Sequence, residues 1–429
     1  MARRATLLAA SAALVSVLFA PQPAAATGSG SFTPTGSLQT SRSGAGAALL
    51  PDGRVLVVAG TNGMDVLATE AFNPQTGAFT SAGLPALSTG RYNVAAARLS
   101  DGRVLIAGGN QGSSTLQTTL FFDPQTNGFS SGPMLVVPRA NAAAALLADG
   151  RVLVAGGNNN VGFLNSAEVY NPQTNSFSPV GTMGSVRTNA VAAPLPGGRV
   201  LVAGGRDDDP ILSSAEIFDP STNTFSSAGI GSMGTERVGA VAAPLPDGRV
   251  LVAGGSNATS PALASAEVFD PKTNSFSSAG IGAMGTTRSG AFVAPLSDGR
   301  VLVAGGQDGT SYLHSAEIYA ATNTFGFTVK GKKLIVSVQA SGKVTVADAS
   351  SPLSASEAKK KRRLLLKPSS ASGDPPTITV ALRLTKLAKL KLRQKGKVKV
   401  RARITFTPLG GLANTQTAKL KIKGKKRKK

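Results

Sequence analysis

Short apolar runs separated by turn residues recur along the first three quarters of the chain. In one copy, the apolar run 240–245 is followed by the Asp-Gly pair 247–248 and then by the Val/Leu run 249–253. An Asp-Gly pair supplies the φ > 0 positions of a two-residue hairpin turn, and a continuous Val/Leu run suits a strand buried on both faces. An alternating stretch at 266–270 and an aromatic residue, Phe276, follow. The pattern predicts four antiparallel strands in each copy.

This unit of about 50 residues occurs six times. Its turn and second strand, DGRVLVAGG or a close variant, begin at Asp52, Asp101, Asp149, Gly197, Asp247 and Asp298. Self-similarity at a fixed period is the sequence signature of repeat architectures. Four antiparallel strands in each of six units correspond to a β-propeller with six blades. The sequence therefore predicts an all-β fold, with a six-bladed propeller over residues 27–325.

The units resemble the repeats of the kelch family. In five of the six units the apolar strand ends in a glycine pair such as Gly204 and Gly205, and the first unit has Ala59 and Gly60 instead. An aromatic residue with Asn or Asp follows, such as Phe218 with Asp219, and another aromatic residue, Phe225, stands where the family usually has Trp. Copper enzymes of this family, which are similar to galactose oxidase, need a cysteine-linked tyrosine and two histidines. The chain has no Cys and one His, so the resemblance implies a propeller without that copper site.

The fourth-strand aromatic residue occurs once more than six units need. Phe32 precedes the first unit, at the spacing from the next arginine that other units show. We expect the segment around Phe32 to pair with the third strand of unit six, at residues 316–319, and so to close the ring of blades without an exposed edge. In the alternative, Phe325 completes the last blade.

From residue 326 to residue 429 the period of the pattern changes to two. Residues 332–347, 377–384, 397–406 and 417–423 alternate apolar with polar or basic side chains. A period of two places apolar side chains on one face of a strand and basic ones on the other. We therefore expect a small basic β-sandwich with a polybasic C-terminus at 424–429. In style it resembles the immunoglobulin-like modules of bacterial surface proteins.

Charge separates the same two regions. The formal net charge is +23, and residues 326–429 hold 28 of the 45 basic residues but only three of the 22 acidic ones. Such a concentration of positive charge attracts polyanions through counterion release. We expect this tail to bind an anionic cell-wall polymer or lipid surface. Nucleic acid is disfavoured, because Phe327 and Phe406 are the only aromatic residues from 326 onward that could stack with bases.

The first 26 residues have the layout of a secretory signal peptide. Arg3 and Arg4 precede an apolar run at 5–19, and small residues at 24–26 offer a cleavage site. We expect export, cleavage after Ala26, and a secreted protein that is retained at the cell wall if the tail binds there. No later run is apolar enough to predict a transmembrane segment. The absence of cysteine excludes disulfides.

An arginine recurs once per unit, just before the first strand: Arg42, Arg91, Arg139, Arg187, Arg237 and Arg288. A residue that recurs in every unit favours a structural role, such as pairing with the third-strand glutamates Glu70, Glu168, Glu216, Glu267 and Glu317. Unit two has Leu120 in place of this glutamate. The alternative is a ring of guanidinium groups that face a ligand.

The loops between the second and third strands differ most among the units. They span residues 61–68, 110–117, 158–165, 206–213, 256–264 and 307–314. We expect them to crowd one face, because in a four-stranded meander they lie at the same end as the connections between blades. Variable loops on a common scaffold suit recognition. The predicted ligand-binding residues are Asn158, Asn159, Asp207, Asp208, Asp209, Asp308, His314, Arg187, Arg237 and Arg288.

Catalysis has less support in the sequence than binding. His314 is the sole histidine, so neither a second histidine ligand nor a well-defined Ser/His/Asp triad is at hand. Asp207, Asp208 and Asp209 could offer oxygens to Ca²⁺, but three adjacent carboxylates do not readily point at one ion. We predict no catalytic residue, no metal site and no cofactor.

The sequence favours a secreted, non-catalytic binding or scaffold protein. Its propeller loops would recognise an extracellular protein or polysaccharide, and its basic tail would hold an anionic surface. The alternative function is a carbohydrate-active epimerase or lyase that uses arginine and acidic residues of the variable loop face.

Overall fold

The computed structural model describes residues 29–323, 325–338, 341–349, 365–374, 377–411 and 413–423. The predicted signal peptide at 1–26 and the polybasic C-terminus at 424–429 lie outside these residues.

The first part of the described chain consists of four-stranded sheets, numbered here as the repeat units are. Strand β1 (Gly30–Pro34) comes first. Sheet one contains β2 (Gly46–Leu49), β3 (Val55–Val58), β4 (Glu70–Asn73) and β5 (Ala78–Thr80). Sheet two begins with β6 (Ala95–Arg98) and β7 (Val104–Ala107), passes through the hairpin of β8 (Asn110–Gln111) and β9 (Ser114–Thr115), and ends with β10 (Thr119–Asp123) and β11 (Gly128–Ser131).

The next sheets repeat this arrangement. Sheet three contains β12 (Ala143–Leu146), β13 (Val152–Ala155), β14 (Ala167–Asn171) and β15 (Ser176–Pro179). Sheet four contains β16 (Val191–Pro194), β17 (Val200–Ala203), β18 (Ala215–Asp219) and β19 (Thr224–Ser226). Sheet five contains β20 (Val238–Pro244), β21 (Val250–Ser256), β22 (Ala266–Asp270) and β23 (Ser275–Ser277). Sheet six contains β24 (Phe292–Pro295), β25 (Val301–Ala304), β26 (Ala316–Ala321) and, from the N-terminus, β1.

The turn between the first two strands of each sheet forms for local reasons. In unit three, Gly150 has φ +87°, a conformation that glycine adopts without strain. Asp149 accepts a hydrogen bond from the Arg151 backbone N–H at 3.1 Å and pairs with its guanidinium at 2.7 Å. The four-stranded antiparallel sheets predicted from the sequence are therefore present.

The second strand of each sheet is the most buried, and apolar clusters join each sheet to the next. Val250 and Phe269 of sheet five, for example, pack with Leu201 of sheet four. An equivalent cluster packs Val55 of sheet one against Leu302 of sheet six. Sheets one and six, which are far apart in sequence, thus share a core in the same way as sequential neighbours.

Strand β1 lies beside β26 in antiparallel register, with Phe32 opposite Tyr319. The two ring centroids are 5.0 Å apart, and burial raises the pKa of Tyr319 to about 12. Phe325 does not join sheet six, because it begins the first strand of the tail and packs in the core of the tail. The pairing expected for the segment around Phe32 is thus observed.

The tail contains ten described elements. They are β27 (Phe325–Lys330), β28 (Lys333–Val338), β29 (Gly342–Asp348), β30 (Leu366–Lys367), β31 (Ser369–Gly373), β32 (Thr377–Ala381), β33 (Arg383–Leu384), α1 (Lys386–Lys395), β34 (Lys397–Pro408) and β35 (Asn414–Lys423). The sheet β27-β28-β32 and the sheet β31-β29-β34-β35 share one apolar core. The resemblance to immunoglobulin-like modules stays a prediction.

Helix α1 was not expected from the alternating pattern. The Thr385 hydroxyl accepts a hydrogen bond from the Ala388 N–H, and Gly396 ends the helix in the left-handed conformation at φ +66°. Ala388 and Leu392, one turn apart, are buried in the core of the tail. Among the described residues, no helix has the length and apolar character needed to cross a membrane.

The tail touches the sheets at their Asp-Gly turns. The Ala321 N–H donates to the carbonyl of Gly410 at 3.0 Å, and Gly410 packs so closely on Gly299 that a Cβ on either residue would collide with the other. Gly299 belongs to the Asp-Gly turn of unit six. The described contacts of the tail therefore lie at the end of the sheets opposite to the variable loops.

Candidate ligand-binding face

The variable loops lie at the same end of the sheets as the connections between units. Each loop starts beside the residues that precede its first strand, as the antiparallel bridges Ser43–Thr61, Ala140–Asn158 and Ser289–Gln307 show. We call this end, formed by the six loops 61–68, 110–117, 158–165, 206–213, 256–264 and 307–314, the loop face.

Several loop side chains shape their own turns. The Asn159 side-chain oxygen accepts hydrogen bonds from the N–H groups of Val161 and Gly162, at 2.8 and 3.1 Å. The Thr310 N–H and hydroxyl donate to Asp308 in the same way and hold the pKa of that carboxyl below its usual value. Asn159 and Asp308, both predicted to bind ligand, therefore use one oxygen to build the loop.

The tips that follow these turn residues are exposed and chemically different. Met64 of unit one is 77% exposed and Val161 of unit three is 96% exposed. At the equivalent tip of unit four stand the exposed carboxylates Asp208 and Asp209, while Asp207 accepts a hydrogen bond from the Asp208 N–H. The loop face thus combines a constant frame with apolar tips in some units and acidic tips in others.

A ring of backbone hydrogen bonds runs beneath the loops, between successive units. The residues that form it are Gly44, Asn93, Asn141, Asn189, Gly239 and Gly290, each donating its N–H to the carbonyl of the previous one, and Gly44 donating to Gly290, at 2.7 to 3.0 Å. All six have positive φ, between 54 and 67°. Asparagine and glycine are the residues that best tolerate this conformation.

Asn158 lies beside this ring and joins two units. Its side-chain oxygen accepts hydrogen bonds from the Asn141 amide at 2.8 Å and from the Thr188 hydroxyl at 3.0 Å. Because that oxygen already has two donors, Asn158 acts first as a link between units three and four. These contacts give Asn158 a structural role at the loop face, and its part in ligand binding stays a prediction.

The first strands of the six sheets line a central cavity of about 400 Å³. Its walls are mostly Ala, Val, Leu and Pro, and Arg98 is the charged residue among them. Arg98 stands where other units have residues such as Leu146 or Pro194, near the Asp-Gly turns. The cavity is therefore narrow and largely apolar.

The recurring arginines are buried inside the sheets. Arg187, Arg237 and Arg288 are each 1% exposed, and each contacts the third-strand glutamate of its unit at 3.1 to 3.2 Å. Burial lowers their pKa, and the glutamates oppose that effect. The suggested pairing is observed in the units that have the glutamate. The structure contradicts the ligand-facing alternative for these three residues, because each guanidinium group is enclosed by protein and already bonded to its glutamate. These three residues therefore leave the candidate site.

The remaining candidates are His314 and the aspartates of the unit-four loop. The His314 side chain is exposed, and its backbone carbonyl accepts a hydrogen bond from the Leu38 N–H at 2.8 Å. Within the described ranges, no three His, Cys, Asp or Glu side chains cluster closely enough to hold a metal ion. Asp208, Asp209 and His314 therefore stand as separate exposed groups on loops of two units.

Two features were not predicted from the sequence: the ring of backbone hydrogen bonds that passes through three asparagines, and the division of each variable loop into turn-forming residues and an exposed tip. A signal was present: Asn93, Asn141 and Asn189 each follow the recurring arginine of their unit by two residues. Asparagine at a fixed offset is typical of a left-handed backbone position.

Comparison with known proteins gives a consistent picture. The family model described as the Kelch motif matches residues 139–184, 187–229 and 239–280. Among solved structures, the chain is similar to one described as "Structure of YjhT", with 14% sequence identity and a TM-score of 0.55, over 70% of this chain and 98% of that chain. No curated protein matches the chain. At this identity the likeness concerns the fold alone. The three kelch motifs and this neighbour together support a kelch-repeat β-propeller.

Proposed function

We propose that this protein is a secreted, non-catalytic binding scaffold whose propeller is a closed ring of six blades. Three features support the ring: the circle of backbone hydrogen bonds from Gly44 to Gly290, the core shared by sheets one and six, and the pairing of β1 with β26. A kelch propeller suggests a protein-binding or scaffold role. The proposal of export and cleavage depends on the basic, apolar and small residues at the N-terminus. A mass of the exported protein that includes residues before Ala24 would contradict the cleavage.

We propose that the loop face is the recognition surface. The observation that carries this proposal is the contrast between the two ends of the sheets: near-identical Asp-Gly turns at one end and six different loop tips at the other. The exposed apolar tips Met64 and Val161 lie on the same face as the acidic tip 207–209. Such a mixture favours a protein partner, because apolar side chains contribute most at the centre of protein interfaces.

The loop face can be tested by exchanging tips while keeping their turns. Giving units three and four the tip of unit five, through N160A with V161T and D207N with D208A and D209T, retains an Asn at the turn-forming position, as in Asn257. Binding to an array of extracellular proteins and polysaccharides should fall at least about tenfold for any ligand that the wild type binds, because the exchanged side chains would lie at the centre of the interface.

The matched control changes the opposite end. Gln173 and Lys272 occupy turns where unit four has Ser221, so Q173S with K272S alters two exposed residues without removing a turn. This variant should bind like the wild type. Full binding by the tip variants, or loss in the control, would show that recognition lies elsewhere.

We propose that the tail binds polyanions through one face of the hairpin β34–β35. Three basic pairs stand directly opposite each other in register: Lys397 with Lys423, Lys399 with Lys421, and Arg401 with Lys419. All six side chains are exposed. Within the described part of the tail, none of the six forms an ion pair with an acidic residue. We call these residues the basic ladder.

The basic ladder is unfavourable for the isolated tail. Like charges directly opposite on neighbouring strands destabilise a sheet, since their side chains lie about 4.5 to 5.5 Å apart at Cβ. If the charged side chains served only to keep the tail soluble, acidic residues could stand opposite basic ones on the neighbouring strand. A polymer with closely spaced negative groups would instead relieve the repulsion, which supports an anionic surface polymer or lipid as the partner.

Charge reversal within the basic ladder should weaken binding to a polyanion. K399E with K421E should elute from a heparin column at lower NaCl than the wild type, by on the order of 100 mM, because fewer counterions are released. The control K330E with K333E makes the same change in net charge at another cross-strand pair, in the sheet β27-β28-β32. If both variants eluted together, net charge rather than the ladder would govern binding.

A further inference from the structure

Five of the six units neutralise their buried arginine with a glutamate that also binds the backbone. In unit three, the Glu168 carboxylate accepts from Arg139 Nη2 at 2.7 Å and from the N–H groups of Val136 and Val137 at 2.6 and 2.9 Å. In unit five, Glu267 accepts from Arg237, Gly234 and Thr235 at 2.7 to 3.1 Å. One carboxylate therefore accepts hydrogen bonds from a guanidinium and from N–H groups of the loop that leads into the first strand of the sheet. We call this loop the entering loop.

Unit two has the donors without the carboxylate. Arg91 is 6% exposed, and its hydrogen bonds are long ones to the carbonyls of Gly108 and Thr118 and to the Thr118 hydroxyl, at 3.2 to 3.4 Å. Ser88 and Thr89 stand where Val136 and Val137 stand in unit three. Within the described residues, neither of their N–H groups donates to a protein acceptor, and Arg91 forms no ion pair. Ser88 and Thr89 are exposed, so their N–H groups are open to solvent.

Leu120 occupies the glutamate position but does not replace the carboxylate. Its side chain packs toward the apolar cluster that contains Leu87 and Ile106, and it has no acceptor atom. Leu120 is also partly exposed, whereas the five glutamates are no more than 3% exposed. The position that the carboxylate takes elsewhere is thus nearer to solvent in unit two than in the other units.

Burial without a counter-charge is costly for a cation. A buried guanidinium is stabilised by a hydrogen-bonded anion, and the pKa of Arg91 is lowered by burial with no acidic group to oppose it. Two backbone N–H groups beside a guanidinium form the donor set that carboxylates bind in proteins.

We propose that Arg91, together with the backbone N–H groups of Ser88 and Thr89, binds a small carboxylate anion in the position that the glutamate side chain takes in the other five units. The ligand class is a monocarboxylate, for which acetate is the probe. The site is peculiar to unit two and lies beside the entering loop, where a free acid or the carboxylate of a partner's side chain could reach it.

The test compares the melting temperature of the full-length protein with and without 100 mM sodium acetate, in a chloride-free buffer of low ionic strength. Wild type should melt at least about 2 °C higher with acetate, because a ligand that binds only the folded state stabilises it. L120E supplies the carboxylate covalently, so it should melt higher than wild type without acetate and should gain no more than the general salt effect from adding it.

Two further variants separate specific binding from the general effect of salt on a basic protein. L120M keeps an apolar side chain and should respond to acetate as wild type does. E168L removes the carboxylate from unit three as well and should increase the response. An acetate response of equal size in wild type, L120M and L120E would overturn the proposal, as would L120E melting below wild type with no acetate response in either. If E168L does not fold, the comparison of L120E with L120M still decides.

Discussion

A protein that begins at Thr35, and so lacks strand β1, is expected to melt at least about 10 °C below one that begins at Ser29. The deletion removes the antiparallel partner of β26 and exposes Tyr319, which stacks on Phe32 at 5.0 Å in the intact protein. Loss of an aromatic side chain from a packed site costs about 3 to 5 kcal/mol and each strand hydrogen bond about 1 kcal/mol. For a domain of this size, each kcal/mol corresponds to about 2 to 4 °C.

The experiment is a thermal unfolding scan of the two proteins followed by near-ultraviolet circular dichroism. Phe225→Ala is a useful companion, because Phe225 stacks on Phe218 at 4.9 Å in a sheet whose strands are continuous in sequence. It should destabilise without opening the ring, whereas deletion of β1 should also expose an unpaired strand edge and promote association. Melting of the Thr35 protein within about 2 °C of the Ser29 protein would rule out closure by β1.

Replacing Glu168 with alanine is expected to lower the free energy of unfolding by about 3 to 5 kcal/mol. The change leaves the Arg139 guanidinium buried without its partner and removes the acceptor of two backbone N–H groups. Arg139→Met should cost a similar amount, since Glu168 then becomes the unpaired charge and the carbonyls of Gly156 and Ser166 lose their donor.

The double variant tests whether Arg139 and Glu168 stabilise the fold through their interaction with each other. R139M with E168A should cost clearly less than the two single changes added together, with a coupling of about 1 to 3 kcal/mol, because no buried charge remains. Chemical denaturation of the four proteins measures the cycle. Asp149→Ala serves as the surface control, because its ion pair with Arg151 is partly exposed and should contribute less than about 1 kcal/mol. Additive single effects at Arg139 and Glu168 would contradict the assignment.

These two experiments address different levels of the fold. The first concerns how the ends of the repeat array meet, and the second concerns how each unit holds its entering loop. The buried glutamate fastens the residues just before the first strand, such as Val136 and Val137, to the third strand of the same sheet. The loop face is built on this rigid support, so its tips can vary without loss of the frame.

Local chemistry was sufficient to predict the strands and turns from the sequence. Asp-Gly pairs, apolar runs and alternating patterns act over a few residues, so the sheets and the period-two strands β34 and β35 were predictable. The extra aromatic residue Phe32 even indicated the distant partner of β1, because a surplus strand in a repeat array has one natural place. The repeated Arg and Glu likewise suggested their own pairing.

Only the tertiary structure decided where these side chains point. The sequence left two roles open for Arg187, Arg237 and Arg288, pairing with glutamates or facing a ligand, and the structure shows that they are buried. Asn159 and Asp308 look like ligand groups, yet their oxygens are used within their own turns. Register is equally non-local, because the opposition of Lys399 and Lys421 in the basic ladder depends on how two strands align. The missing glutamate of unit two is visible in the sequence, but only the structure shows that Arg91 is buried. Sequence pattern determines which element a residue joins, because the forces are local, but burial and partners follow from contacts between residues far apart in the chain.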